Sequence, residues 1–180
     1  MIATPQSPTI SPVSVADMAD YVGADVTDPI LPGLLIAATD AVIAHIRQDL
    51  LPRTWVATQY LESRAALQVS VYPLADGVVE IPYSDASATV SSVTIDGTNI
   101  GYTLRIGRPS AVAISNPCIT GQLRIEYTAG MSPIPVAITE GIKIIAAYLY
   151  EHRGRCDMGA AVQASGASYV LRPWRVEYCI

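Results

Sequence analysis

The chain reads as an α+β protein: a small helical bundle of three to four helices with a β-rich insertion between the second and third helices. Three observations predict this. Apolar residues recur at helical spacing over two stretches, about 28–50 and 135–153. Between them the chain switches to short runs rich in valine, isoleucine, threonine and tyrosine, punctuated by Gly, Pro, Asp and Asn. With 180 residues, 51% hydrophobic and 15% charged, it can bury one good core and is too short to promise two independent ones. The expectation is a single domain over 13–177, with a helical core at 13–52 and 133–177 and the β insertion at 53–132.

Residues 1–12 carry Pro5, Pro8 and Pro12 among serines and threonines, too little apolar surface to order themselves, which predicts a flexible N-terminal arm. Ser14 and Asp17 then make a capping-box-like start, Val15, Met18, Ala19 and Val22 share one face, and Gly23 stops the helix. Asp28-Pro29 opens the second helix, whose stripe runs through Ile30, Leu34, Ala38, Ala41 and Leu50. Strands are predicted at 56–61, 78–81, 90–95, 102–106, 111–114 and 122–127. In the last of these Leu123, Ile125 and Tyr127 alternate with Gln122, Arg124 and Glu126.

Pro133 and Pro135 introduce the third helix, where Ile138, Ile142, Ile145, Ala146 and Leu149 recur at helical spacing. Ile144 and Tyr148 extend its apolar surface around the axis, so it must be buried on two sides. One side meets the second helix, and the other meets the β insertion or a neighbouring subunit. Ile144, Tyr148 and Arg153 are accordingly candidate subunit-interface residues. Residues 154–167, rich in Gly, Ala and Ser, are expected to be a flexible loop, after which apolar and aromatic residues return.

Composition and motifs exclude several function classes. A net charge of −5, with Lys143 the only lysine, argues against holding DNA by phosphate neutralisation. Cys118, Cys156 and Cys179 include no C-x-x-C pair and signal neither a disulfide framework nor a zinc ribbon. Residues 1–6 have no basic region followed by an apolar run, so they do not read as a secretory signal. The most apolar stretches are broken by Asp40 and by Glu140 and Lys143, against a membrane span. His152 and Cys156 stand four apart near Asp157, but a thiolate nucleophile needs an orienting third group that the sequence does not supply. His45 sits inside the second helix, where a packed imidazole is the usual outcome. Asp17, Asp20, Asp25 and Asp28 lack the spacing of a calcium loop and read as caps and solvated surface. With no G-x-S-x-G elbow, Walker loop or dinucleotide fingerprint, no catalytic, cofactor-binding or metal-ligating residue is assigned, and no enzyme is expected.

The stretch from Tyr127 to Gly154 joins Tyr127-Thr128-Ala129-Gly130, a proline-rich turn, an apolar helix and a Tyr150-Glu151-His152-Arg153 ending. In that order, it resembles the head-tail connector (adaptor) proteins of tailed bacteriophages, prophages and gene transfer agents. The Pro12-to-Asp17 opening, Pro52-Arg53-Thr54-Trp55 after the second helix, the turn at Asp96-Gly97 with the following Gly101-Tyr102-Thr103-Leu104, and Tyr169-to-Arg175 near the end agree with it. The resemblance implies a virion structural protein of the neck at the head-tail interface, assembled in the host cytoplasm. It implies a homo-oligomeric, dodecameric ring beneath the portal protein that extends the DNA channel without binding DNA specifically. The ring would offer a docking surface to a downstream neck (stopper) or tail-completion protein. The apolar and aromatic C-terminal segment supplies the portal-contact candidates Tyr169, Leu171, Arg172, Trp174, Arg175 and Tyr178. An alternative reading is a soluble carbohydrate- or peptide-binding module presenting Tyr60, Tyr72, Tyr83 and Tyr102.

Overall fold

Local chemistry sets where the helices start and stop in the structure, a computed structural model that describes residues 1–61, 78–84, 87–107, 109–114, 120–152 and 158–176. Ser14 caps α1 (Val15–Val22): its hydroxyl accepts the Asp17 N–H at 3.0 Å and donates to the Asp17 carboxylate at 2.7 Å. Gly23, at φ 67°, ends the helix in the left-handed conformation. Helix α2 (Leu31–Ile46) is led in by Asp28, whose carboxylate accepts the Ile30 N–H at 3.0 Å. It stops at Arg47, which turns left-handed at φ 59° while its N–H reaches the Ile43 carbonyl at 2.8 Å. The helix is therefore shorter than its apolar stripe suggests, and Leu50 is buried beyond its end.

Helix α3 (Val136–Glu151) follows Pro135, and α4 (Met158–Ala164) and α5 (Ala167–Leu171) are separated by Gly166 at φ 79°. A 3₁₀ turn, Arg172–Trp174, closes the described chain. All of these helices belong to one compact unit, 8–51 with 133–176. Its core interleaves Leu31, Leu35, Ala38, Val42 and Ile46 of α2 with Ile138, Ile142, Ile145 and Leu149 of α3. Met18 of α1 and Leu171 of α5 complete it, each fully buried.

The strands belong to a second compact unit, 1–7 with 52–132. They are β1 (Ile2–Pro5), β2 (Arg53–Leu61), β3 (Val78–Glu80), β4 (Thr89–Ile95), β5 (Thr98–Asn99), β6 (Tyr102–Arg105), β7 (Ala111–Ile114) and β8 (Gly121–Ala129). Every pairing is antiparallel: one sheet has the order β1-β2-β8-β4-β5 and the other β3-β7-β6. The alternation in β8 sends Leu123, Ile125 and Tyr127 inward, where they meet Trp55, Ala57, Val93 and Ile95 and, from the smaller sheet, Val112 and Ile114. Tyr127 is fully buried and places its hydroxyl 2.8 Å from the Pro82 carbonyl. Asp96 and Gly97, at φ 49° and 79°, form the two-residue turn that joins β4 to β5.

The protein is thus a mixed α+β chain with five α-helices and antiparallel sheets among its described residues. Contacts divide the described residues into these two compact units. Two expectations are corrected. The N-terminal arm is not wholly irregular: Ile2 to Pro5 pair with Thr58 to Trp55 at the edge of β2, a partner too distant in sequence for local pattern to reveal. Pro5 is tolerated there because the Gln6 N–H to Thr54 carbonyl bond (2.9 Å) makes 6, 4 and 2 the bonded positions, so none of the ladder bonds needs a donor at 5. The expected loop at 154–167 contains α4, whose buried residues Ala161 and Val162 are too small to register as an apolar stripe; residues 153–157 lie outside the described residues.

Candidate protein–protein interface

The C-terminal segment packs onto its own helical unit and leaves one side exposed. Gly141 makes this possible: a Cβ there would lie 2.8 Å from Leu171 Cδ2, so the glycine is a notch in α3 that Leu171 fills. Ala167, Leu171 and Val176 are all buried, and the Val176 N–H donates to the Ile46 carbonyl at 2.9 Å. α5 of the same chain thus takes part of the surface of α3 that the sequence reading assigned to the β insertion or a neighbouring subunit, while Ile144 and Tyr148 stay half-buried.

Of the portal-contact candidates, Leu171 is consequently a core residue and offers no surface. Tyr169 is 81% exposed, Arg172 and Arg175 are exposed, and Trp174 is half-buried; Tyr178 lies outside the described residues. No ion pair holds Arg172 or Arg175 among the described residues. Arg175 also acts on His45: burial chiefly, and the nearby guanidinium second, lower the imidazole below its ordinary value. The result is a firmly seated segment presenting tyrosine and arginine, residue types enriched where protein interfaces concentrate their energy.

Ile144 and Tyr148, the subunit-interface candidates on α3, are half-buried. Tyr148 stacks on His152 with ring centroids 4.2 Å apart, and the His152 Nδ1 lies 2.9 Å from the Tyr148 carbonyl. Arg153 and Cys156 lie outside the described residues. Asp17 and Asp25 act locally, the Asp17 carboxylate accepting the hydroxyl of the Ser14 cap and Asp25 the N–H and hydroxyl of Thr27, whereas Asp28 accepts the hydroxyl of the distant Tyr150 at 3.0 Å. The Thr27 bonds hold the Asp25 carboxyl below its ordinary value. Among the described residues no group of three His, Cys, Asp or Glu is arranged to hold a metal ion, and no helix is long and apolar enough to cross a membrane.

Of the tyrosines expected to line a ligand surface, two are engaged in packing the β unit. Tyr83 stacks on Trp55 at 4.7 Å, Tyr102 bonds the Val90 carbonyl at 3.2 Å, and both pack against the β core. Tyr60 is exposed, and Tyr72 lies outside the described residues. Sequence reasoning missed two features, one buried and one at the surface. The notch at Gly141 was legible only as a glycine inside an apolar helix. The N-terminal arm exposes Ile2 (74%) and Ile10 (68%), apolar residues in a segment that composition alone marks as irregular.

No protein-family model matches the sequence, and no curated protein matches it either. Solved structures do match in fold. A chain in the neck of an empty gene transfer agent particle, computed with C6 symmetry, superposes with a TM-score of 0.69 at 19% identity, covering 100% of this chain and 98% of that one. A chain in the neck of the native particle, computed with C12 symmetry, gives 0.69 at 20% identity with the same coverage. A chain in the virion of the native particle gives 0.64 at 19% identity, again covering 100% and 98%. Over its whole length, this protein is similar in fold to a chain of a gene transfer agent neck.

Proposed function

We propose that the protein is a structural component of a virion neck, a head-tail adaptor that forms a ring beneath the portal, extends the DNA channel and docks the next neck or tail component. The observation that carries this reading is the fold likeness over the full length of both chains to a neck chain in particles computed with C6 and C12 symmetry. The order of motifs from Pro12 to Arg175 supports the same family. In this reading the helical unit is the bundle and the β unit an insertion between α2 and α3, and twelve copies repeat one heterologous contact. Function is assembly by surface complementarity, without chemical turnover, and the net charge of −5 suits a wall that DNA slides past.

The portal contact is assigned to the exposed side of the C-terminal segment, Tyr169, Arg172, Trp174 and Arg175. Ile144 and Tyr148 are assigned to the contact between subunits. Incubating the purified chain with the portal protein from the same particle, followed by mass photometry and negative-stain microscopy, tests the reading. A ring capping the portal is expected. A chain that neither binds the portal nor oligomerises on it would overturn the assignment.

A further inference from the structure

We propose that the N-terminal arm interlocks neighbouring copies, with the strand Ile2–Pro5 of one copy occupying the β2 edge of the next. The inference rests on the ring reading above and names the segment that joins its subunits. Three observations carry it. First, β1 is weakly committed to its own chain. It has one strand neighbour, β2, and of its side chains only Ala3 packs against the core cluster. Its partner lies beyond α1 and α2, so no tight turn binds the two strands, whereas β5, the other edge strand, is tied to β4 by Asp96-Gly97.

Second, the arm exposes apolar residues with no neighbour to cover them: Met1 is 41%, Ile2 74% and Ile10 68% exposed. Scattered apolar residues are ordinary, but several within the first ten residues of a segment lacking its own core mark a surface that an adjacent molecule covers. Third, the connection is built to reach. Ser7 and Ser11 each precede a proline, which biases them to extended backbone, so the stretch from Gln6 to the buried Val13 spans up to about 23 Å. The exposed bond from the Thr9 hydroxyl to Asp40 of α2, 2.5 Å, lies within this stretch, so the full reach requires that bond to open.

Exchange leaves the ladder chemistry unchanged. The same register, Ile2 with Thr58 and Ala3 with Ala57, forms within a chain or between two copies, so the bonds of the closed form are not lost. Within a ring the neighbouring edge is held at millimolar effective concentration, and the exchanged arm lays Ile2 and Ile10 against the adjacent copy.

Ala3 and Ala57 face each other at a non-hydrogen-bonded position, the closer of the two pair types, and so form a suitable site for an engineered disulfide. The test uses the full chain with Ala3→Cys and Ala57→Cys, the natural cysteines changed to serine, oxidised as free monomer and as assembled ring on the portal. Exchange predicts an intrachain bond in the monomer and a ladder of covalent oligomers from the ring on a non-reducing gel. Rings of confirmed size that yield only the intrachain product would overturn the proposal and leave the ring reading intact. A chain that forms no ring at all would overturn that reading and this inference together. Should the cysteine background fail to fold, Ile2→Asp with Ile10→Asp, both at exposed positions, gives a second measurement. The concentration for half-assembly is expected to rise about tenfold or more, at an unchanged monomer melting temperature. An unchanged assembly midpoint would equally overturn the proposal.

Discussion

His45 is one of two histidines in the chain, and its surroundings fix how it titrates. Burial disfavours its charged form, and Arg175 adds repulsion, so its folded pKa lies below the unfolded value of about 6.5. The stability linked to this group is therefore complete above that unfolded value and is lost as pH falls through the folded pKa. Wild type should lose melting temperature between pH 7 and 5 more steeply than His45→Gln. In Arg175→Gln the imidazole pKa, followed by NMR, should rise toward the ordinary value; an unmoved titration would show that Arg175 does not act on it. Ser14 makes a simpler case. Its hydroxyl satisfies a helix N–H that water would otherwise have to serve, so Ser14→Ala should cost about 1 kcal/mol of stability in denaturant melts. That cap was legible from Ser14 and Asp17 alone, because capping is a contact between residues three apart. The Arg175–His45 proximity was not, since it depends on where the chain returns after α5.

At the scale of elements, the seam between α3 and α5 rests on a missing side chain. Gly141 costs helix propensity, about 1 kcal/mol relative to alanine, and α3 tolerates it because Leu171 occupies the space. Gly141→Ala should thus destabilise the protein by roughly 1–3 kcal/mol through overpacking, despite the better helix former. In a Leu171→Ala background the same substitution should be neutral or stabilising. A double-mutant cycle by chemical denaturation measures the coupling, and additive effects would show that the two residues do not share the seam. The strands show which elements pattern reveals. β8 was evident because its inward and outward residues alternate and one face is buried. β1 was hidden because its warrant is a ladder with residues 53 and beyond, and α4 because alanine and glycine carry no periodic signal.

At the scale of the whole molecule, the chain passes between its two compact units within the described residues at 7/8, 51/52 and 132/133, and each of these steps enters a proline: Pro8, Pro52 or Pro133. Proline restricts the residue before it to extended backbone, so each of these passages is conformationally narrowed. The division also bears on how the C-terminal segment is tested. Removing 169–180 deletes the buried Leu171 and Val176, and each such loss costs about 2–5 kcal/mol against a total stability of about 5–15 kcal/mol. That truncation should melt the helical unit, seen as lost helical circular dichroism and rapid proteolysis. Tyr169→Ala with Arg172→Glu and Arg175→Glu should instead keep the melting temperature and abolish portal binding; retained binding would remove this surface from the contact.

Sequence by itself determined the α+β class, the positions of α1, α2 and α3, the inward set of β8 and the Ser14–Asp17 cap. All of these arise from periodicity and from contacts a few residues apart, which a linear reading captures. Only the tertiary structure decided that β1 lies on β2, that Leu171 is core while Tyr169 is surface, that α5 packs into α3 at Gly141, and that Tyr83 and Tyr102 pack against the β core while Tyr60 is exposed. Each of these depends on which distant segment removes a side chain from water, and burial of that kind is a property of the assembled surface, to which a residue's own neighbours in sequence contribute little.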